Sequence, residues 1–165
     1  MGLHIYLVTD NYKAVYSTEF YQNEKEYRSK MCLSRNFAEL MARLNPSFGE
    51  AELKQVERVA GINLSSLWEM ATYNNGEGNI PNGNIGTVIK IVSKLVERLN
   101  AIENLQTKIE PYDNNIGFDY YFSDFSNDKS NDLTDNNFGQ DLRNLKRLLD
   151  YALSKGASKV WFDIE

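Results

Sequence analysis

Apolar residues recur along this chain at two periods, and the periods mark out its elements. At residues 3–9 they alternate, with Leu3, Ile5 and Leu7 on one side and His4, Tyr6 and Val8 on the other, before Asp10-Asn11 ends the run. That pattern predicts a strand. Alternation returns at residues 159–164, where Val160, Phe162 and Ile164 interleave with Trp161 and Asp163. Between these ends the period is helical. Ser34 is placed to cap a helix running to Leu44, with Phe37, Leu40, Met41 and Leu44 as its stripe and Asn45-Pro46 as its stop. Ser47-Phe48-Gly49-Glu50 has the form of a capping box opening a helix with Leu53, Val56, Val59 and Ala60 inward, closed by a left-handed Gly61. A short helix is predicted at 65–73. The longest stripe, from Ile85 and Val88 through Val92, Leu95 and Leu99 to Leu105, predicts a helix over 85–105 as the most buried element. A final helix carries Phe138, Leu142, Leu145, Leu148, Leu149 and Leu153 and ends at Gly156. Residues 12–31 fit both periods: Tyr16, Phe20, Tyr27 and Met31 are spaced for a helix, whereas Ala14, Tyr16, Thr18 and Phe20 alternate as a second hairpin strand would.

These elements predict an α+β class: a small sheet including the N- and C-terminal strands, packed against about five helices in one domain spanning 1–165. At 165 residues, 42% hydrophobic and 25% charged, such a domain buries a core without a metal or disulfide staple. Cys32 is the single cysteine, which excludes an internal disulfide. With no basic, apolar leader and no apolar run of bilayer length, the expected location is cytoplasmic, without a membrane partner.

Charge sharpens this picture. The net charge is −5, and residues 111–140 account for all of it: Asp113, Asp119, Asp124, Asp128, Asp132 and Asp135 against Lys129 alone. The rest of the chain is neutral. Phosphate binding wants clustered Lys and Arg, so nucleic acid is not the expected partner. Inside the acidic stretch lies an aromatic island at 118–125, part of a surplus of ten tyrosines that also gathers Tyr6, Tyr12, Tyr16, Tyr21 and Tyr27 near the N-terminus. Tyrosine offers large contact area at low entropic cost and is enriched at protein interfaces.

Candidate chemistry is sparse. Residues 52–70 resemble a helix-turn-helix through Val56, Ala60, Gly61, Ile62 and Leu67, but Glu57 stands where a small residue belongs and the second helix has no Lys or Arg. Gly78 and Gly83 have Walker A spacing, with Asn84-Ile85 in place of its Lys and Ser/Thr; only a bare anion site at the following helix would remain. Asp124-x-Ser126-x-Asp128 and Asp128-x-Ser130-x-Asp132 begin like calcium loops, yet offer Lys129 or Leu133 for the turn glycine and Asp135 or Gly139 for the closing glutamate. His4 is the only histidine; a suitable strand register would bring it to Asp163 as a base and its orienting carboxylate. Arg28, Lys30 and Arg35 flank Cys32 and favour its thiolate, but no partner base accompanies it. No cofactor and no metal site are expected.

The leading reading is therefore a non-enzymatic protein-binding domain of inhibitor, immunity or accessory type. It would use Asp119, Tyr120, Tyr121, Asp124, Asp128, Asp132 and Asp135 to meet another protein, one with basic character. A regulatory nucleic-acid binder using residues 50–73 is the alternative, and an enzyme the third. Residues 118–125 are expected to be anchored and 127–137 to form a mobile, solvated loop. Replacing Asp128, Asp132 and Asp135 with Asn should slow association with a basic partner, read by stopped-flow mixing, and leave the melting temperature nearly unchanged. Loss of folding would instead assign those carboxylates a structural duty.

Overall fold

The two alternating segments at the ends of the chain pair with each other. The structure, a computed structural model, describes residues 2–22, 27, 30–43, 49–71, 83–111, 118, 120–128 and 136–165. Strand β1 (Ile5–Thr9) lies antiparallel to β3 (Lys159–Ile164), with Tyr6 opposite Asp163 and Leu7 opposite Phe162. A two-residue strand, β2 (Gly83–Asn84), pairs with the other side of β3, giving the order β1-β3-β2. A Cβ on Gly83 would collide with the Val160 carbonyl, so glycine is what lets β2 approach. The Phe162 amide adds a bond to the Met70 carbonyl, 2.8 Å, so β3 is engaged on both sides. Asp10 ties the end of β1 to the turn before β3, its carboxylate accepting from the Ser158 amide and hydroxyl and the Lys159 amide.

The helices whose bounds lie among the described residues are α1 (Tyr12–Val15), α2 (Thr18–Tyr21), α3 (Arg35–Ala42), α4 (Glu52–Ala60), α5 (Ser65–Glu69), α6 (Ile85–Asn100) and α7 (Phe138–Ser154). The α+β class and the shared terminal sheet are as predicted. In the ambiguous N-terminal stretch, α1 and α2 are helical turns, not a hairpin strand. Tyr12 and its neighbour four residues on, Tyr16, meet at 4.9 Å, a contact the turn of α1 provides, and Phe20 of α2 meets Tyr16 edge-on at 5.0 Å. Ser34 caps α3 through the Phe37 amide, and Gly61 closes α4 in the left-handed region (φ 66°).

Three boundaries differ from expectation. The capping box does not open α4: Ala51 occupies the cap, Glu50 pairs with Arg58, and Ser47, like Leu44, lies outside the described residues. Helix α6 stops at Asn100, and after Asn104 turns left-handed (φ 53°) a 310 turn at Leu105–Lys108 still buries Leu105. The short helix after Gly61 ends at Glu69, short of Tyr73.

The most buried helix is α7, not α6. It buries ten residues against five for α6, including Gln140, Asp141 and Asn144 among its leucines. The reason is a second cover: α6 packs along one side, and residues 118 and 120–128 close over the first turns. The approach is tight at Gly139, where a Cβ would collide with the Phe125 carbonyl oxygen and stand 2.8 Å from its carbon. Gly139→Ala is therefore expected to cost about 3 kcal/mol in urea unfolding, although alanine is the better helix former. A stabilised variant would contradict this packing.

Candidate functional site

The aromatic island forms part of the core. Phe118, Tyr121, Phe122 and Phe125 are buried and meet Phe138 and one another at ring separations of 5.2 to 6.2 Å. Each such ring contributes roughly 1.5–3 kcal/mol of burial. Of the residues singled out for partner binding, Tyr121 is therefore occupied internally. Tyr120 is 73% exposed, and Asp124 and Asp128 also face solvent. Asp128 is paired with Arg143 at 2.6 Å, and the Asp124 carbonyl receives the Asn137 side chain at 2.8 Å. Asp119, Asp132 and Asp135 lie outside the described residues, as does 129–135 of the loop expected to be mobile.

The Tyr121 hydroxyl leads to a buried carboxylate, Asp141 in the first turn of α7. One oxygen accepts from the Tyr121 hydroxyl (2.7 Å) and the Ser34 hydroxyl (2.5 Å), the other from the Ser34 amide and the Asn136 amide group (both 2.9 Å). Asn136 and Asn144 extend the network to the Cys32 carbonyl, and Arg147 to the Lys30 carbonyl. All four donors on Asp141 come from the chain itself, which marks it as a fastener.

The exposed aromatic surface lies elsewhere. Tyr6, Tyr12 and Tyr21 are each about half exposed and line a groove of about 1060 Å³ that runs beside β1. Tyr16, Tyr27, Met31 and Cys32 form its inner wall, and His4, Arg35, Asp163 and Glu165 lie along its rim. Burial raises the Tyr16 and Tyr27 phenols well above the ordinary tyrosine value, with neighbouring tyrosines adding for Tyr16 and the Cys32 thiol for Tyr27, so both remain neutral donors. Tyr16 donates to the Leu7 carbonyl at 2.5 Å. Sequence reasoning noted this tyrosine cluster without choosing it. The signal was the outward parity of Tyr6 on β1 together with the i, i+4 spacing of Tyr12 and Tyr16.

The other candidates take structural duties. Glu57, the residue out of place for a helix-turn-helix, accepts from the Leu64 amide at 2.7 Å and so braces the entry to α5, while Lys54 lies over the Trp68 ring. His4 stacks with Tyr6, and Asp163 faces Tyr6 across the ladder; no hydrogen bond or ion pair joins His4 to Asp163 among the described residues. Of the groups flanking Cys32, Arg35 pairs with Glu39, and Arg28 lies outside the described residues. Gly78 also lies outside them. Ser126 donates to Asn100, and among the described residues no cluster of metal-ligating side chains forms. No helix among them is long and apolar enough to cross a membrane.

Burial raises the Asp141 carboxyl above the ordinary aspartate value, and hydrogen bonds from Ser34, Asn136 and Tyr121 oppose the rise. A carboxyl raised in the folded state holds its proton more tightly there than in the unfolded chain. Its contribution to stability is then largest at low pH and declines as pH climbs from the ordinary value to the raised one. Asp141→Asn places an amide donor against donors and should cost about 2 kcal/mol at neutral pH. The stability difference between wild type and this variant should grow as pH falls from neutrality towards about 4; a difference that shrinks over that range would contradict the raised value. No family model, curated protein or solved structure matches the chain, so its function is read from these side chains.

Proposed function

We propose that this chain is a non-enzymatic protein-binding domain of inhibitor, immunity or accessory type. The supporting observation is the gathering of Tyr6, Tyr12 and Tyr21, half exposed, along one groove at the edge of the sheet. Half-exposed tyrosines bury their ring faces on a partner and keep a hydroxyl for its backbone, at small entropic cost. Asp163 and Glu165 stand exposed on the same rim, and residues 111–140 carry the chain's net negative charge, so the partner surface is basic. The binding face thus centres on the groove, with Tyr120 and the exposed carboxylates Asp124 and Asp128 forming a separate acidic flank.

Affinity capture from the cells that make the chain tests this reading. Wild type should retain a protein that a Tyr6→Ser, Tyr21→Ser double variant of similar melting temperature retains about tenfold less. Equal capture by both would remove the groove from the interface.

A further inference from the structure

The groove runs beside backbone as well as rings. His4 and Glu165 exchange both of their backbone hydrogen bonds, at 2.8 and 3.0 Å, and the Asp10 amide reaches the Lys159 carbonyl at 3.1 Å. In an antiparallel ladder such pairs alternate, so the backbone groups of His4, Tyr6 and Val8 turn towards β3 and those of Leu3, Ile5 and Leu7 turn away from it. Strand β1 is at the sheet's edge, and Gly2 to Val8 line the groove. Of the groups turned away, the Leu7 carbonyl is taken by the Tyr16 hydroxyl. The Leu3 and Ile5 amides and carbonyls and the Leu7 amide bond to nothing else among the described residues. A free edge of that kind is a template for another strand.

We infer that the edge of β1 takes up an extended segment of the partner protein by strand addition, with apolar side chains alternating with Lys or Arg. The inference rests on the protein-binding reading and names the form its partner takes. Unpaired amides and carbonyls in strand register call for extended backbone. The Tyr16 hydroxyl already completes Leu7, which limits the pairing to residues 3–7. Alternation follows from the two faces of the sheet. On the core-facing side, Ile5 and Leu7 adjoin Tyr16, Tyr27 and Met31, which accept apolar side chains. On the open side stand His4, Tyr6, Asp163 and Glu165, and no ion pair involves either carboxylate among the described residues. Long basic side chains reach them across β1. A second copy of the chain fits less well, since the wall formed by Tyr12, Tyr16, Tyr21, Tyr27 and residues 31–33 leaves a groove open to a single strand.

A displayed library of peptides of about ten residues tests this, with apolar residues alternating with Lys or Arg. Two control libraries carry acidic residues in place of the basic ones, or the same residues in blocks. The alternating basic library should be enriched over both. Bound peptide should slow exchange of the Ile5 and Leu7 amides at least about tenfold and leave Tyr6 and Val8 nearly unchanged. Methylating the peptide amides that face β1 should weaken binding about tenfold or more, and methylating the alternate amides should leave it within about twofold. Absence of enrichment would overturn the inference. So would enriched peptides that leave Ile5 and Leu7 unprotected and tolerate methylation at every amide. If either occurs while the tyrosine-dependent capture persists, strand addition fails and the protein-binding reading stands. If the capture is also indifferent to the tyrosines, both fail.

Discussion

One buried carboxylate holds three parts of this chain in a common place. Asp141 takes hydrogen bonds from Ser34, Tyr121 and Asn136, and each donor begins or closes a different piece of structure. Ser34 is the cap of α3, Tyr121 anchors the aromatic cover, and Asn136 leads into α7 while holding the Cys32 carbonyl. A charge without water is costly unless its lone pairs are filled, and four donors fill them. Removing any one of the four leaves a buried group unsatisfied, so the arrangement specifies one docking of α3 and the cover on α7. The tight contact at Gly139, next to Asn137 and its bonds to the Asp124 and Asn127 carbonyls, depends on the same docking.

Because α7 is fixed in this way, the sheet is fixed at one side and open at the other. Asn11 binds the Lys155 carbonyl and Asp10 caps the Ser158–Lys159 turn, so the end of β1 is fastened to the end of α7. β3 is then satisfied by β1, β2 and Met70, and among the described residues the outer edge of β1 is hydrogen-bonded only by the Tyr16 hydroxyl. The cluster of N-terminal tyrosines follows from that geometry. Phe20 brings Tyr16, Tyr21 and Tyr27 together as edge-to-face neighbours, and the rings that do not fit inside remain at the groove.

The elements and their faces were legible in the sequence because they follow from periods: alternation in β1 and β3, three-and-four spacing in α6 and α7. The cap at Ser34 and the stop at Gly61 are local chemistry and could also be read. The partner-facing surface was harder to place, because exposure depends on what covers a segment. The acidic, aromatic run at 118–125 has the composition of an interface, yet Tyr121, Phe122 and Phe125 meet Phe138 across the fold, and Phe118 packs on Tyr121 and Phe122 behind them. Asp141 carries no mark in the sequence at all. It reads as an ordinary acidic residue in the first turn of a helix, and only the docking of Ser34 and Tyr121 makes it central. The free edge of β1 likewise depends on strand order, which hydropathy does not record.

Native-state amide hydrogen exchange on the free protein tests the account most directly, because it reports the fastener and the open edge together. The Ser34 amide should exchange as slowly as the Leu145 amide in the core of α7, opening only with global unfolding. Along β1, Tyr6 and Val8 should be protected while Ile5 and Leu7 exchange rapidly. A Ser34 amide that exchanges like a frayed helix end would contradict the role of Asp141, and equal protection at Ile5, Tyr6, Leu7 and Val8 would show that the edge of β1 is already covered.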